Sequence, residues 1–99
     1  MIKRGRKDGN HNELKRVFES MGCSVLDLYN AGIPGCPDII VGVAGKTLPV
    51  EIKNPETRYG RAGLNSNQTA FQQEWRGGPL YVVSSADEVV ALVNNARRA

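Results

Sequence analysis

Apolar residues recur along the 99-residue chain in groups whose spacing differs between helix and strand. The first group has positions i, i+3, i+4 and i+7, which is typical of one buried helix face: Leu14, Val17, Phe18 and Met21. Gly22 follows as a stop signal. Asn10 precedes the group and Glu13 stands three residues further on, the spacing of a capping box. The pattern therefore predicts a first helix from about residue 10 to residue 21.

Three short apolar segments follow, and their length and β-branched content predict strands over residues 24–29, 39–43 and 46–53. A loop rich in Gly and Pro separates the first two, and Ala44-Gly45 predicts a tight turn between the second and third. In the third strand, alternation places one set of residues on the core face: Leu48, Val50 and Ile52. Pro49 has no N–H to donate to a neighbouring strand, so it predicts an edge position or a bulge.

The last third of the chain predicts a helix, a strand and a helix. The first helix starts near Asn65 or Ser66, and one face carries Gln68, Phe71, Gln72 and Trp75. We expect Phe71 and Trp75 in the core. Residues 80–83 read as a strand, and Ser85 with Glu88 predicts a capping box for the last helix, which has these residues inside: Val89, Val90, Leu92, Val93 and Ala96. The predicted order is α-β-β-β-α-β-α, an α/β fold.

Length and charge narrow the class of protein. Ninety-nine residues suffice for one domain, which we place at residues 10–99, after a basic and flexible tail over residues 1–9. The formal net charge is only +3, but basic residues cluster in that tail and in the loop after the third strand. Such clusters contact phosphate backbones, although a solvated tail is an equal alternative. The candidate nucleic-acid-binding residues are Arg4, Arg6, Lys7, Arg58 and Arg61.

Other residue types exclude several kinds of site. Charged residues follow Met1 and Ile2 directly, and no segment approaches the roughly 20 apolar residues of a membrane span, so we expect a protein without signal peptide or membrane helix. Cys23 and Cys36 lack companion histidines, which favours two free thiols in a reducing, cytoplasmic setting. His11 is the only histidine, and this argues against a Ser-His-Asp site and against zinc.

The strongest chemical pattern is Pro37-Asp38 at the start of the second strand, followed by Glu51-Ile52-Lys53 at the end of the third. Glu51 and Lys53 are two residues apart and point to the same face. If the two strands pair as a hairpin, Asp38 lies beside Glu51. Carboxylate oxygens suit a hard cation such as Mg²⁺, and a lysine can hold an attacking water or stabilise developing charge. The alternative is a solvated strand face, but acids are out of place in strands otherwise so apolar.

These motifs, in this order, resemble the PD-(D/E)xK nuclease superfamily. The combination comprises a first helix with Glu13, then Gly35-Cys36-Pro37-Asp38, then Glu51-Ile52-Lys53, and finally Leu64-Asn65-Ser66-Asn67-Gln68. Within the superfamily the chain is most similar to the VRR-NUC group, the virus-type replication-repair nucleases. The resemblance covers roughly residues 10 to 95. Pro49, just before the active end of its strand, departs from the group's pattern.

The resemblance implies a restriction-endonuclease-like core in which helices flank a central mixed sheet. It implies that Asp38, Glu51 and the backbone carbonyl of Ile52 hold Mg²⁺, for which Mn²⁺ can substitute, and that Lys53 is the catalytic lysine. Gln68 matches a glutamine near the site, although its spacing from Asn65 equally fits a capping box. Glu13 matches an acid that supports the metal directly or through water, although a capping role explains it at least as well.

The expected activity is metal-dependent hydrolysis of DNA. A core this small covers little DNA, and a symmetric dimer would present two sites to two strands. We therefore expect a homodimeric endonuclease acting on branched DNA such as four-way (Holliday) junctions. Apolar positions near residues 25–29 or on the last helix are candidates for the dimer surface. The alternatives are a restriction-type, flap or single-strand nuclease of the same superfamily, or a non-catalytic nucleic-acid-binding module.

Overall fold

The computed structural model describes residues 9–57 and 63–98 of the chain. The helices and strands in these ranges are α1 (His11–Ser20), β1 (Ser24–Asp27), β2 (Ile39–Val43), β3 (Lys46–Ile52), α2 (Ser66–Glu74), β4 (Tyr81–Val83) and α3 (Ala86–Arg97). Their order is the predicted α-β-β-β-α-β-α. The bounds differ from the prediction mainly in β1, which ends at Asp27 rather than at residue 29.

The four strands form one mixed sheet in the order β1-β2-β3-β4. β1 pairs with β2 and β2 with β3 in antiparallel fashion, whereas β3 and β4 are parallel. A parallel pair needs a crossover connection, and the connection between β3 and β4 contains α2. The structure therefore has the predicted architecture, a central mixed sheet with helices packed around it.

The β2–β3 hairpin turns through Ala44 and Gly45, as predicted. Both residues have positive φ angles, 52° and 76° respectively, as a two-residue hairpin turn of type I′ requires. Glycine adopts this conformation readily, whereas alanine pays a conformational cost. The turn fixes the register that runs from Val43 opposite Lys46 to Ile39 opposite Val50.

The expectation that Pro49 marks an edge or a bulge is wrong. β3 is a central strand with a partner on each side, and Pro49 lies in regular register opposite Ile40. Hydrogen-bonded and non-hydrogen-bonded pairs alternate from a two-residue turn, so the nitrogen of Pro49 faces away from β2. On that other side β4 pairs only from Val50 onward. The missing N–H therefore falls where no strand needs it.

One face of the sheet is covered by α1 and α3, and the hydrophobic core lies between them. The fully buried residues of this cluster include Leu14, Phe18, Ile39, Val41, Val50, Ile52, Val89 and Val93. Val17 and Met21 complete the predicted stripe of α1 as partly buried residues, and Gly22 follows with a positive φ of 84°. Burial on one face leaves the other face of the sheet for polar residues.

Three core assignments are corrected by the structure, those of Phe71, Trp75 and Val90. Trp75 is 48% exposed and Phe71 is only half-buried, because Gln68 is the one buried residue of α2. Val90 of α3 is also exposed, at 38%.

In α3 the predicted serine cap is present, since Ser85 Oγ accepts a hydrogen bond from Glu88 N. The side chain of Glu88 accepts from the backbone nitrogen of Ser84, not of Ser85, so the box is shifted by one residue.

No helix within residues 9–57 and 63–98 has the length and apolar character needed to cross a lipid bilayer. The predicted basic tail lies almost wholly outside these ranges, and Gly9 is its single described residue. Both cysteines are buried and free, as expected.

Candidate active site

The two predicted carboxylates lie side by side because of the β2–β3 register. Ile39 pairs with Val50, so Asp38, one residue before it, lies opposite Glu51, one residue after its partner. Asp38 Oδ2 accepts a hydrogen bond of 2.8 Å from the backbone nitrogen of Ile52. Both acids are buried, with Asp38 8% and Glu51 2% exposed. The hairpin thus brings together two carboxylates that are thirteen residues apart in sequence.

Lys53 joins this pair from the end of β3. It is two residues after Glu51 and shares its face of the sheet. Its backbone nitrogen donates to the carbonyl of Val83, 3.0 Å away, which extends the β3–β4 pairing. The side chain is only 3% exposed, an unusual position for a lysine unless polar groups receive its ammonium.

Gln68 is that polar group, and it bridges the lysine and the glutamate. Gln68 Oε1 accepts from Lys53 Nζ at 3.0 Å, and Gln68 Nε2 donates to Glu51 Oε2 at 2.7 Å. The same Oε1 accepts from the backbone nitrogen of Asn65, and Asn65 Oδ1 accepts from the backbone nitrogen of Gln68. The predicted capping role of Gln68 is therefore confirmed. The same side chain contacts Lys53 and Glu51, and its part in catalysis stays a prediction.

Gly35 allows the start of α2 to reach the site. Its φ is +78°, and a Cβ added there would lie 2.2 Å from the carbonyl oxygen of Asn67. Real Cβ atoms do not approach so closely, so only glycine fits at this contact. The glycine that opens the Gly35-Cys36-Pro37-Asp38 segment thus lets the loop before β2 pack on the N-terminus of α2, next to Gln68.

Asn10 supports the site from the other side of the sheet's end. Its side chain makes no capping hydrogen bond for α1, so the predicted capping box is wrong. Instead Nδ2 donates to the carbonyls of Lys53, at 3.0 Å, and Ser84, at 3.3 Å. These two residues directly follow β3 and β4. The tertiary contact with two carbonyls therefore replaces the local cap, and one amide joins both strand ends beside the catalytic candidates.

The charges of the site suit a cation. Two buried carboxylates face one ammonium, a formal surplus of one negative charge in a region with little water, and a bound cation offsets such a surplus. No group of three or more His, Cys, Asp and Glu side chains converges among the described residues. The donor set is hence two carboxylates with neighbouring backbone carbonyls. Because Mg²⁺ is typically bound through one or two protein carboxylates and keeps several waters, these residues fit it.

The remaining predicted residues are Glu13, the backbone carbonyl of Ile52 and the basic candidates. Glu13 is exposed in the first turn of α1 and is not among the side chains brought together here. The carbonyl of Ile52 belongs to the end of β3, between the two site residues of that strand. The basic candidates lie outside the described residues: Arg4, Arg6, Lys7, Arg58 and Arg61. Their contact with nucleic acid stays a prediction.

A second polar cluster, which the pattern of residues did not reveal, joins α1 to β1. His11 is 2% exposed, and its Nε2 lies 3.1 Å from Asp27 Oδ2, to which Lys15 also donates at 3.4 Å. Asp27 Oδ1 accepts from the backbone nitrogen of Tyr29. Asp27 pairs with Ile39 and so lies on the core face, away from Asp38 and Glu51. Sequence spacing gave no signal for these contacts, which depend on how α1 packs on β1.

No protein-family model matches the chain, and neither does any curated protein. The chain is similar to a solved structure described as a VRR_NUC domain, with a TM-score of 0.65 and 27% sequence identity. The similarity covers 91% of this chain and 97% of that one. The shared fold therefore extends over almost the whole of both molecules. This similarity supports membership of the VRR-NUC family and indicates a nuclease-type domain.

Proposed function

We propose that the protein is a metal-dependent endonuclease that hydrolyses DNA phosphodiester bonds, with branched DNA as its preferred substrate. The observation that carries this proposal is the cluster at the end of β3, where two buried carboxylates, one buried lysine and one buried glutamine meet. Burial of four polar side chains costs free energy. A catalytic role best explains why a small domain contains such a cluster.

Asp38 and Glu51, with the backbone carbonyl of Ile52, would hold Mg²⁺ or Mn²⁺. When bound there, such an ion supplies Lewis-acid polarisation of a phosphate oxygen and lowers the pKa of a coordinated water. Asp38 is held in place for this role by the hydrogen bond from Ile52 N, and Glu51 by the hydrogen bond from Gln68 Nε2.

Lys53 would orient the attacking water or stabilise the negative charge that develops on the phosphate. Its ammonium is directed by Gln68 Oε1, and its backbone is fixed by Val83 and Asn10. The side chain and the backbone of Lys53 are thus both constrained. A catalytic lysine requires such a fixed position relative to the phosphate.

The preference for branched DNA rests on size and symmetry. A domain of 99 residues covers only a short length of duplex, so a homodimer would be needed to place two sites on two strands. The basic segments at residues 3–7 and 58–61 would contact phosphates without reading sequence. A restriction-type, flap or single-strand nuclease is the alternative that a substrate panel distinguishes.

The test compares Lys53→Ala and Asp38→Ala with the unmodified protein on linear, flap, fork and four-way DNA in Mg²⁺. We expect each substitution to lower the cleavage rate by at least about 100-fold, and EDTA to abolish cleavage. Lys46→Ala is the matched control, because Lys46 lies at the opposite end of β3 and donates to the carbonyl of Ala96.

Full activity in Lys53→Ala or Asp38→Ala would overturn the assignment of the site. Cleavage of linear DNA as fast as of four-way DNA would retain the nuclease and overturn the branched substrate. Binding of DNA without cleavage of any substrate, in any divalent metal, would favour a non-catalytic nucleic-acid-binding module instead.

A further inference from the structure

Two aromatic side chains form an exposed stack at the C-terminal end of α2, Phe71 within the helix and Trp75 directly after it. The rings of Phe71 and Trp75 lie 5.5 Å apart between centroids and 14° from parallel. Trp75 is 48% exposed and Phe71 is half-buried. Burial of these rings would stabilise the fold, so their exposure has a cost in free energy. A ligand that covers the rings would explain the exposure.

The stack lies on the same face of α2 as Gln68. Phe71 and Trp75 follow Gln68 by three and seven residues, which places the three on one side of the helix. Gln68 contacts both Lys53 and Glu51. At 1.5 Å of rise per residue, Trp75 is about 10 Å along the helix from Gln68, and this equals the rise of about three nucleotides in one strand of B-form DNA.

Two contacts position the indole of Trp75. One side is stacked on Phe71, and its Nε1 edge lies so close to Gly77 that a Cβ there would be 2.7 Å away. Gly77 therefore allows the chain to leave the helix along the edge of the ring. A large aromatic surface that is fixed before binding loses little conformational entropy when a ligand stacks on it.

We infer that Phe71 and Trp75 form a stacking platform for an unpaired nucleobase within about three nucleotides of the scissile phosphate. The inference rests on the proposed function, since it takes the nucleic-acid strand at Lys53 as its starting point. Every base has a π face, so stacking is tolerant of sequence. Bases inside an intact duplex are already stacked on one another. The platform thus selects DNA with an unpaired or splayed nucleotide near the cut, as at a branch or a single-stranded flap.

Charge at the platform agrees with this occupant. Arg76 is exposed directly after Trp75. An aromatic surface beside cationic side chains is the combination that binds single-stranded nucleic acid.

Trp75 is the only tryptophan, so its fluorescence reports on the platform directly. The experiment titrates a short oligothymidylate into the Lys53→Ala protein in EDTA, where binding is measured independently of cleavage. We expect quenching of the fluorescence, and a Kd about tenfold weaker when Trp75→Leu is added, measured with a labelled oligonucleotide. Trp75→Phe should retain most of the affinity. Val90→Ala, which changes an exposed apolar residue on α3, is the matched control and should bind as tightly as the parent.

If the oligonucleotide leaves the fluorescence of the Lys53→Ala protein unchanged and Trp75→Leu leaves the Kd unchanged, the platform is overturned, whether or not the unmodified protein cleaves DNA. Quenching in the Lys53→Ala protein together with a weaker Kd when Trp75→Leu is added would support it, even if no cleavage is found and the proposed hydrolysis fails. Fluorescence that varies with protein concentration but not with oligonucleotide would show that a second copy of the chain covers the rings, and this too would overturn the inference. Circular dichroism of each variant confirms that the compared proteins are folded.

Discussion

Gln68 shows how one residue serves both local structure and chemistry. Its amide closes the capping box of α2 and also receives the ammonium of Lys53 while donating to Glu51. The position of α2 and the orientation of two site residues are therefore coupled. A change at Gln68 should affect activity more than it affects the stability of the fold.

We predict that Gln68→Ala lowers kcat about 10- to 100-fold, because Lys53 and Glu51 lose the amide that orients them. The free energy of unfolding should fall by about 1–2 kcal/mol, from loss of the cap and of buried hydrogen bonds. Cleavage kinetics and urea denaturation measure the two effects. Gln72→Ala is the control, since Gln72 is exposed one turn further along α2. Equal effects of the two substitutions would contradict the role of Gln68.

Cys23 gives a prediction about pH. Burial raises the pKa of its thiol, and the nearby Arg97 guanidinium offsets only part of the increase. A folded pKa above the unfolded one means that the thiol stabilises the fold fully below the unfolded pKa, and that this contribution is lost as pH rises through the folded value. The loss belongs to the alkaline range. In a Cys36→Ala protein, Cys23 should react with a thiol reagent much more slowly than in the urea-unfolded chain at pH 8. Similar rates in the two states would contradict the burial.

At the scale of helices and strands, Asn10 joins two strand ends that no strand pairing alone would fix. Its Nδ2 donates to carbonyls at the ends of β3 and β4. α1 is thereby attached to the part of the sheet from which the side chain of Lys53 extends. The side-chain amide of Asn10, at the start of α1, thus helps to fix the backbone of Lys53, which is more than forty positions later in the sequence.

Asn10→Asp tests this contact with almost no change of shape. The carboxylate places an acceptor where the amide placed a donor, so it would face two carbonyls. We predict a loss of about 1–3 kcal/mol in the free energy of unfolding and a lower kcat at unchanged KM. Asn30→Asp, at an exposed turn residue, provides the comparison for the added charge. A stability loss no greater than that of Asn30→Asp would show that the two hydrogen bonds contribute nothing measurable.

The sequence predicted those features of the fold that depend on local patterns. Period and turn chemistry were sufficient for the order of elements, the β2–β3 turn and the core face of β3. They were also sufficient for the pairing of Asp38 with Glu51, because a two-residue turn fixes the register of a hairpin. The site could be predicted to this extent since most of it is built on one hairpin.

The failures concern contacts between distant elements. The helical spacing of Phe71 and Trp75 is that of a core face, but α2 is attached through Gln68 and its later turns remain outside the core. The spacing of Asn10 and Glu13 fits a capping box, but the carbonyls of Lys53 and Ser84 compete for the amide. The prediction for Pro49 was wrong for the same reason. Whether its missing N–H leaves a neighbouring strand without a hydrogen-bond donor depends on the length of β4. Sequence patterns do not show when a tertiary contact replaces a local one.

At the scale of the whole molecule, the two faces of the sheet have different roles. α1 and α3 cover one face and supply the hydrophobic core, whereas the opposite face carries Asp38, Glu51 and Lys53. β1, at an edge of the sheet, presents Leu26 on the same face as the site, with 60% of its surface exposed. An exposed apolar residue on an edge strand favours association with another chain.

A homodimer through the β1 edge is the last prediction. Leu26→Glu should convert the dimer to a monomer, because it places a charge in a contact that would otherwise be apolar. Light scattering at micromolar concentration measures the mass of each form. Val90→Glu on α3 is the matched variant for the other candidate surface, and it should leave the dimer intact. Loss of cleavage of four-way DNA in Leu26→Glu, with retained nicking of a flap, would show that the second site is needed only where two strands are cut. A monomeric unmodified protein, or a dimer disrupted by Val90→Glu and not by Leu26→Glu, would contradict this arrangement.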